Sequence, residues 1–97
     1  MMAAKHYLIT GAGRGIGRGL SRLLLQKGHR ILLVDSNNTE LENTASLLSN
    51  HGYKVGNDFA TPYADLRRPA DVTGAASKAS ELFGGHLDCL VNNAACQ

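Results

Sequence analysis

The sequence predicts an α/β fold: a doubly wound parallel sheet, incomplete at about four strands and three helices. Three observations point there. Short runs such as Tyr7-Leu8-Ile9 and Ile31-Leu32-Leu33-Val34 are apolar at successive positions, as strands covered on both faces are. Between such runs, apolar residues recur at helical spacing. The first run, moreover, passes straight into a glycine-rich turn, "TGAGRGIGRG", Thr10 to Gly19.

The elements follow in order. A strand over 5–10 leads into a helix over 15–27, where Ile16, Leu20, Leu23 and Leu24 share a face and Gly28 stops the chain. The second strand, 31–34, ends at Asp35. The next helix is expected to be capped by Thr39, with Glu42 three residues on as a capping box, and to bury Leu41, Ala45 and Leu48 before His51-Gly52. Gly56-Asn57-Asp58 and Pro62 interrupt what comes next, and Phe59 to Ala64 is the best strand within it. Pro69 suits the first position of a third helix carrying Val72, Ala76, Ala79 and Phe83, which Gly84-Gly85 closes. A last strand, Leu87 to Val91, runs into "NNAACQ".

Ninety-seven residues make one domain at most, and a chain of this size buries roughly 60 to 65% of its unfolded surface. Net charge is +2 on a mixed composition, which gives no electrostatic case for nucleic acid or an anionic membrane. No signal peptide or membrane-length apolar run occurs. Cys89 and Cys96 match no metal or redox spacing, and His6, His29, His51 and His86 are scattered singly, so no metal site is expected. The expectation is a reduced, cytoplasmic protein with small buried thiols.

A glycine-rich turn between strand and helix offers unpaired backbone N–H groups and the positive end of a helix dipole, a site for phosphate or pyrophosphate. The same glycines also serve tight turns and close packing. Their spacing matches neither G-x-G-x-x-G nor a P-loop, but fits Thr-Gly-x-x-x-Gly-x-Gly at Thr10, Gly11, Gly15 and Gly17. Asp35, about twenty residues past the turn at the end of the second strand, can accept hydrogen bonds from ribose hydroxyls and repel a 2′-phosphate.

That glycine pattern, together with "LVNNAA" at the end of a later strand, resembles the classical short-chain dehydrogenase/reductase family across essentially the whole chain. The resemblance implies a Rossmann-type fold, of which 1–97 is the amino-terminal dinucleotide-binding part, the remainder of the domain being absent. It implies that Gly11, Gly15 and Gly17 form the cofactor turn and that Ile16 at its tip packs against a nicotinamide dinucleotide. Asn92-Asn93-Ala94 is similar to the family's Asn-Asn-Ala-Gly, whose asparagines tie strands together and line the cleft; Ala95 stands where glycine is usual. Arg14 resembles the basic residue of NADP-using members and opposes Asp35, leaving NAD preferred and NADP possible. Arg18 and Arg22, one turn apart on the same helix, read as a solvated stripe. Asp65-Leu66 resembles the acidic-apolar pair whose carboxylate meets the adenine amino group; a free surface carboxylate is the alternative.

The family's catalysis uses Ser, a Tyr and a Lys four residues after it. Four residues beyond Tyr7, Tyr53 and Tyr63 stand Gly11, Asn57 and Arg67, so the chain is expected to lack catalytic residues and to be inactive alone. A small alcohol or carbonyl substrate would then need the missing half, and full-length relatives would be homo-oligomeric. The alternatives are a non-catalytic dinucleotide- or partner-binding module and, more remotely, an S-adenosylmethionine methyltransferase built on Gly11-x-Gly13-x-Gly15 and Asp35. The latter has no role for Asn92-Asn93-Ala94.

Overall fold

The computed structural model describes residues 4–11, 15–65 and 67–92, without the side chains of Ile16 and Asn92. Strand β1 is His6–Thr10, helix α1 Gly15–Gln26, strand β2 Arg30–Val34 and helix α2 Asn38–Asn50. Strand β3 is Phe59–Ala60, helix α3 Pro69–Phe83 and strand β4 Cys89–Asn92. The strands form one parallel sheet in the order β3-β2-β1-β4. Its first three strands run outward from β1, and β4 returns to the other side of β1, as a doubly wound sheet requires.

Two apolar cores flank the sheet because side chains alternate along each strand. Ile9, Ile31, Leu33 and Phe59 face Leu24 and Leu25 of α1 and Leu41 and Leu48 of α2. Leu32 and Val34 face Ala75, Leu82 and Phe83 of α3, with Leu8 and Ala60 packed alongside. Every residue of β2 from Ile31 to Val34 is buried, which explains its unbroken apolar run.

Leu41 and Leu48 of α2 are buried as expected, whereas the faces of α1 and α3 are partly rotated. On α1 the buried stripe is Gly17, Ser21, Leu24 and Leu25, whereas Leu23 is about half exposed. The Ser21 hydroxyl donates to the Gly17 carbonyl at 2.7 Å. Arg18 is no solvated cation: it donates to Thr44 Oγ1 at 2.9 Å and to Glu40 Oε2 at 3.0 Å, tying α1 to α2. Arg22 is exposed as expected.

Helix α2 is capped by Asn37 instead of Thr39, its side-chain oxygen accepting from the Glu40 N–H at 3.0 Å. The Asp35 carboxylate accepts from the Asn37 N–H at 3.0 Å, which turns the chain two residues earlier than the expected cap. Strand β3 stops at Ala60, since Pro62 has no N–H to continue a ladder, and pairing resumes only as an isolated bridge between Asp35 and Tyr63. On α3, Pro69 begins the helix and Gly84 ends it at φ +65°, both as expected. Ala75, Leu82 and Phe83 are buried there, while Val72 and Ala76 face out. Cys89, expected as a buried thiol, is exposed because β4 is an edge strand; Cys96 lies outside the described residues.

Candidate functional site

The carboxyl ends of β1 and β2 meet where the winding of the sheet reverses, the place where open α/β sheets form a ligand crevice. The register pairs Thr10 with Val34, so the next residue on each chain places Gly11 beside Asp35. Thr10 also pairs with Asn92, which brings the end of β4 to the same edge. The Thr10 hydroxyl donates to the Val91 carbonyl at 3.4 Å, fastening β1 to β4 there.

Gly11 and Gly15 adopt φ of +64° and +61°, a left-handed backbone that L side chains rarely take. Among the described residues, a Cβ at Gly15 would meet nothing within 4 Å, so its glycine answers to the backbone turn and those residues leave the space above it open. From Gly15 the chain enters α1, whose first turn carries no acidic side chain to compete for the positive end of its dipole. Open space over a helix amino terminus suits an anion.

Asp35 is half-buried, and its carboxylate is oriented by the Asn37 N–H while its carbonyl accepts from the Ala64 N–H at 3.0 Å. Asp65 lies beyond the end of β3, where Arg67 grips it through both oxygens, Nε to Oδ1 at 3.0 Å and a terminal nitrogen to Oδ2 at 2.8 Å. The side-chain hydrogen bonds from Arg67, then its backbone N–H, hold the Asp65 carboxyl down to about 2. The partner guanidinium is raised in turn. Asp65 is thus a paired carboxylate, not the free surface one weighed as the alternative.

The crevice therefore gathers Gly11, Gly15 and Asp35. Gly17, which the resemblance also puts in the cofactor turn, is the third residue of α1 and is buried. Arg14 and Asn93 lie outside the described residues, as does the side chain of Ile16. Tyr63, which has no lysine four residues on, is placed at this edge by its bridge to Asp35, a position its sequence context does not reveal. Its signal was the alternation Phe59, Thr61, Tyr63, which Pro62 obscures. Among the described residues, no group of three His, Cys, Asp or Glu could hold a metal ion, and no helix is long and apolar enough to cross a membrane.

A glycine turn at the reversal of a β3-β2-β1-β4 sheet, with an acidic residue ending the adjacent strand, defines a Rossmann-type, doubly wound α/β protein. The sequence profile of the short chain dehydrogenase family matches residues 5–97, and the chain belongs to that family. It is 38% identical over 93 residues to the oxidoreductase UcpA of Escherichia coli, covering 96% of this chain and 33% of that protein. Among solved structures, 3-ketoacyl-(acyl-carrier-protein) reductase from Brucella melitensis, complexed with NADH, matches with a TM-score of 0.75 and 31% identity, over 89% of this chain and 32% of that one. An actinorhodin polyketide ketoreductase with NADPH matches with a TM-score of 0.81 and 27% identity, over 94% of this chain and 33% of that one. The chain thus spans about a third of the length of the relatives it matches.

Proposed function

We propose that this chain supplies the dinucleotide-holding part of an NAD(P)-dependent oxidoreductase that moves hydride between the nicotinamide cofactor and a small alcohol or carbonyl compound. The observation that carries the reading is the pair of left-handed glycines, Gly11 and Gly15, opening α1 beside Asp35 at the switch point of the sheet. Family membership and neighbours solved with NADH and with NADPH support a nicotinamide cofactor.

The residues present fit that group. Backbone N–H groups of the turn and of the α1 terminus bind its diphosphate, in the open space over Gly15. The Asp35 carboxylate accepts from the adenosine ribose hydroxyls and repels a 2′-phosphate, favouring NAD. Arg14 supplies the opposing charge that keeps NADP in play, Ile16 and Asn93 line the cleft, and Asp65 meets the adenine amino group; these four assignments rest on the family resemblance. When bound, the cofactor supplies hydride chemistry. The Ser, Tyr and Lys that the family resemblance assigns to the substrate's proton have no match around Tyr7, Tyr53 or Tyr63, so this reading places substrate choice on other polypeptide.

Calorimetry on the 97-residue protein with NADH, NADPH and ADP-ribose tests the reading. Micromolar binding of all three is expected, with NADH ahead of NADPH and no oxidation of either cofactor by a panel of carbonyl compounds. Absence of binding would overturn the dinucleotide site. Turnover by the chain alone would overturn the placement of catalysis outside it.

A further inference from the structure

We propose that Tyr63 forms the outer wall of the adenosine end of this site, its ring packing against the nucleoside beside Asp35. The proposal rests on the dinucleotide reading above and adds a contact residue to it.

Strand β3 pairs with β2 as Ile31 to Phe59 and Leu32 to Ala60. The later bridge pairs Asp35 with Tyr63 in the same offset, so the alignment persists past Thr61 and Pro62 to the carboxyl edge. In-register residues of parallel strands project to the same face. Ile31, Leu33 and Phe59 point into the core beneath α1 and α2, whereas Leu32, Val34, Ala60 and Ala64 belong to the core beneath α3. Continuing the alternation sets Asp35 and Tyr63 side by side on the first of these faces. Buried Ala64, on the opposite face, locks that phase through its N–H to the Asp35 carbonyl.

The two aromatics of this row then differ in a telling way. Phe59 is fully buried, but Tyr63 is 49% exposed. Among the described residues, no hydrogen bond or ring contact occupies the Tyr63 side chain, although its phenol is close enough to Arg67 to add to that guanidinium's raised pKa. A half-exposed aromatic ring next to a carboxylate suited to ribose hydroxyls offers what a nucleoside needs: a flat apolar surface adjoining a hydrogen-bond acceptor. Tyrosine supplies such a surface at low cost in conformational freedom, and bases stack on it whatever their identity.

The test compares wild type, Tyr63→Ala and Tyr63→Phe in calorimetric titrations with NADH, AMP and reduced nicotinamide mononucleotide. In Tyr63→Ala, affinity for NADH and AMP should fall on the order of ten-fold, within the range for one base–aromatic contact, with affinity for the mononucleotide unchanged. Tyr63→Phe should stay within about two-fold of wild type, because the ring makes the contact. Intermolecular NMR transfer from AMP purine or ribose protons to the Tyr63 ring of the wild-type protein should be visible, and gives a readout independent of how any variant folds. Unchanged AMP affinity in Tyr63→Ala, equal loss in Tyr63→Phe, or absence of that transfer would overturn the wall. Failure of wild type to bind any of the three ligands would instead remove the dinucleotide reading on which the wall depends.

Discussion

At the scale of single residues, the two carboxylates at the sheet edge do different work. Asp35 is the one placed beside the turn, so Asp35→Ala should weaken NADH binding by about ten-fold, as loss of a hydrogen bond to a charged group does, while leaving NADPH binding equal or improved. Equal loss of both cofactors in calorimetry would remove its role as a ribose ligand. Asp65, to which the family resemblance assigns the adenine amino group, is held by Arg67. Its carboxyl is held from an ordinary 3.8 down to about 2, so folding gains from its ionised form. That gain is present above the unfolded value and disappears as pH falls through the folded one, a window from about 4 to about 2. Arg67→Ala should abolish the low titration, which carboxyl-detected NMR of Asp65 can follow. Because the pair is exposed on the Arg67 side, the accompanying change in overall stability should be small.

At the scale of elements, boundaries follow local chemistry that competes over one or two residues. Asn37 reaches the cap position of α2 first because Asp35 has already turned the chain, so Asn37→Ala should cost about 1 kcal/mol in urea denaturation and Thr39→Ala much less. An equal cost at both positions would restore the capping box read from the sequence. Gly15→Ala should cost about 1–2 kcal/mol, the penalty of a left-handed backbone for a residue with a Cβ. At the opposite end of the sheet, Asp88 accepts from the His6 N–H at 2.8 Å and meets His86 Nε2 at 2.7 Å, and these contacts lower its pKa. Asp88→Ala should therefore reduce the urea midpoint at pH 7, and the difference from wild type should shrink as acidification protonates the wild-type carboxyl. The existence and order of all seven elements were legible from apolar runs and breakers. Which helix face turns inward was legible on α2, where Leu41 and Leu48 are buried, and only in part on α1 and α3: Leu23 and Val72 sit one position from Leu24 and three from Ala75, and periodicity alone does not choose between neighbouring stripes when alanines and leucines fill both.

At the scale of the whole molecule, the site was legible where it depends on backbone punctuation and illegible where it depends on register. Gly11, Gly15 and Asp35 announce themselves by residue type and spacing. Tyr63 emerges only once β3 is aligned on β2, because a proline hides the strand that carries it. Alignment also places β4 at the rim of the sheet with no charge or proline along Cys89–Asn92 to discourage pairing. Leu90 pairs with Leu8 in register and so lies on the α3 face, yet it is 60% exposed, and Leu87 just before the strand is 45% exposed. An apolar groove next to them runs between α3 and the sheet, lined by Leu8, Ala79, Phe83 and Leu87. Such a rim attracts other chains. Sedimentation velocity of the 97-residue protein should show association that grows with concentration, and Leu90→Lys should suppress it, since a charge on an edge strand opposes edge pairing. The thermal midpoint of dilute protein should not fall, because an exposed leucine contributes little to the core. Association that persists undiminished in Leu90→Lys would locate the contact elsewhere, and a large drop in the midpoint would show that Leu90 is buried by packing within the single chain.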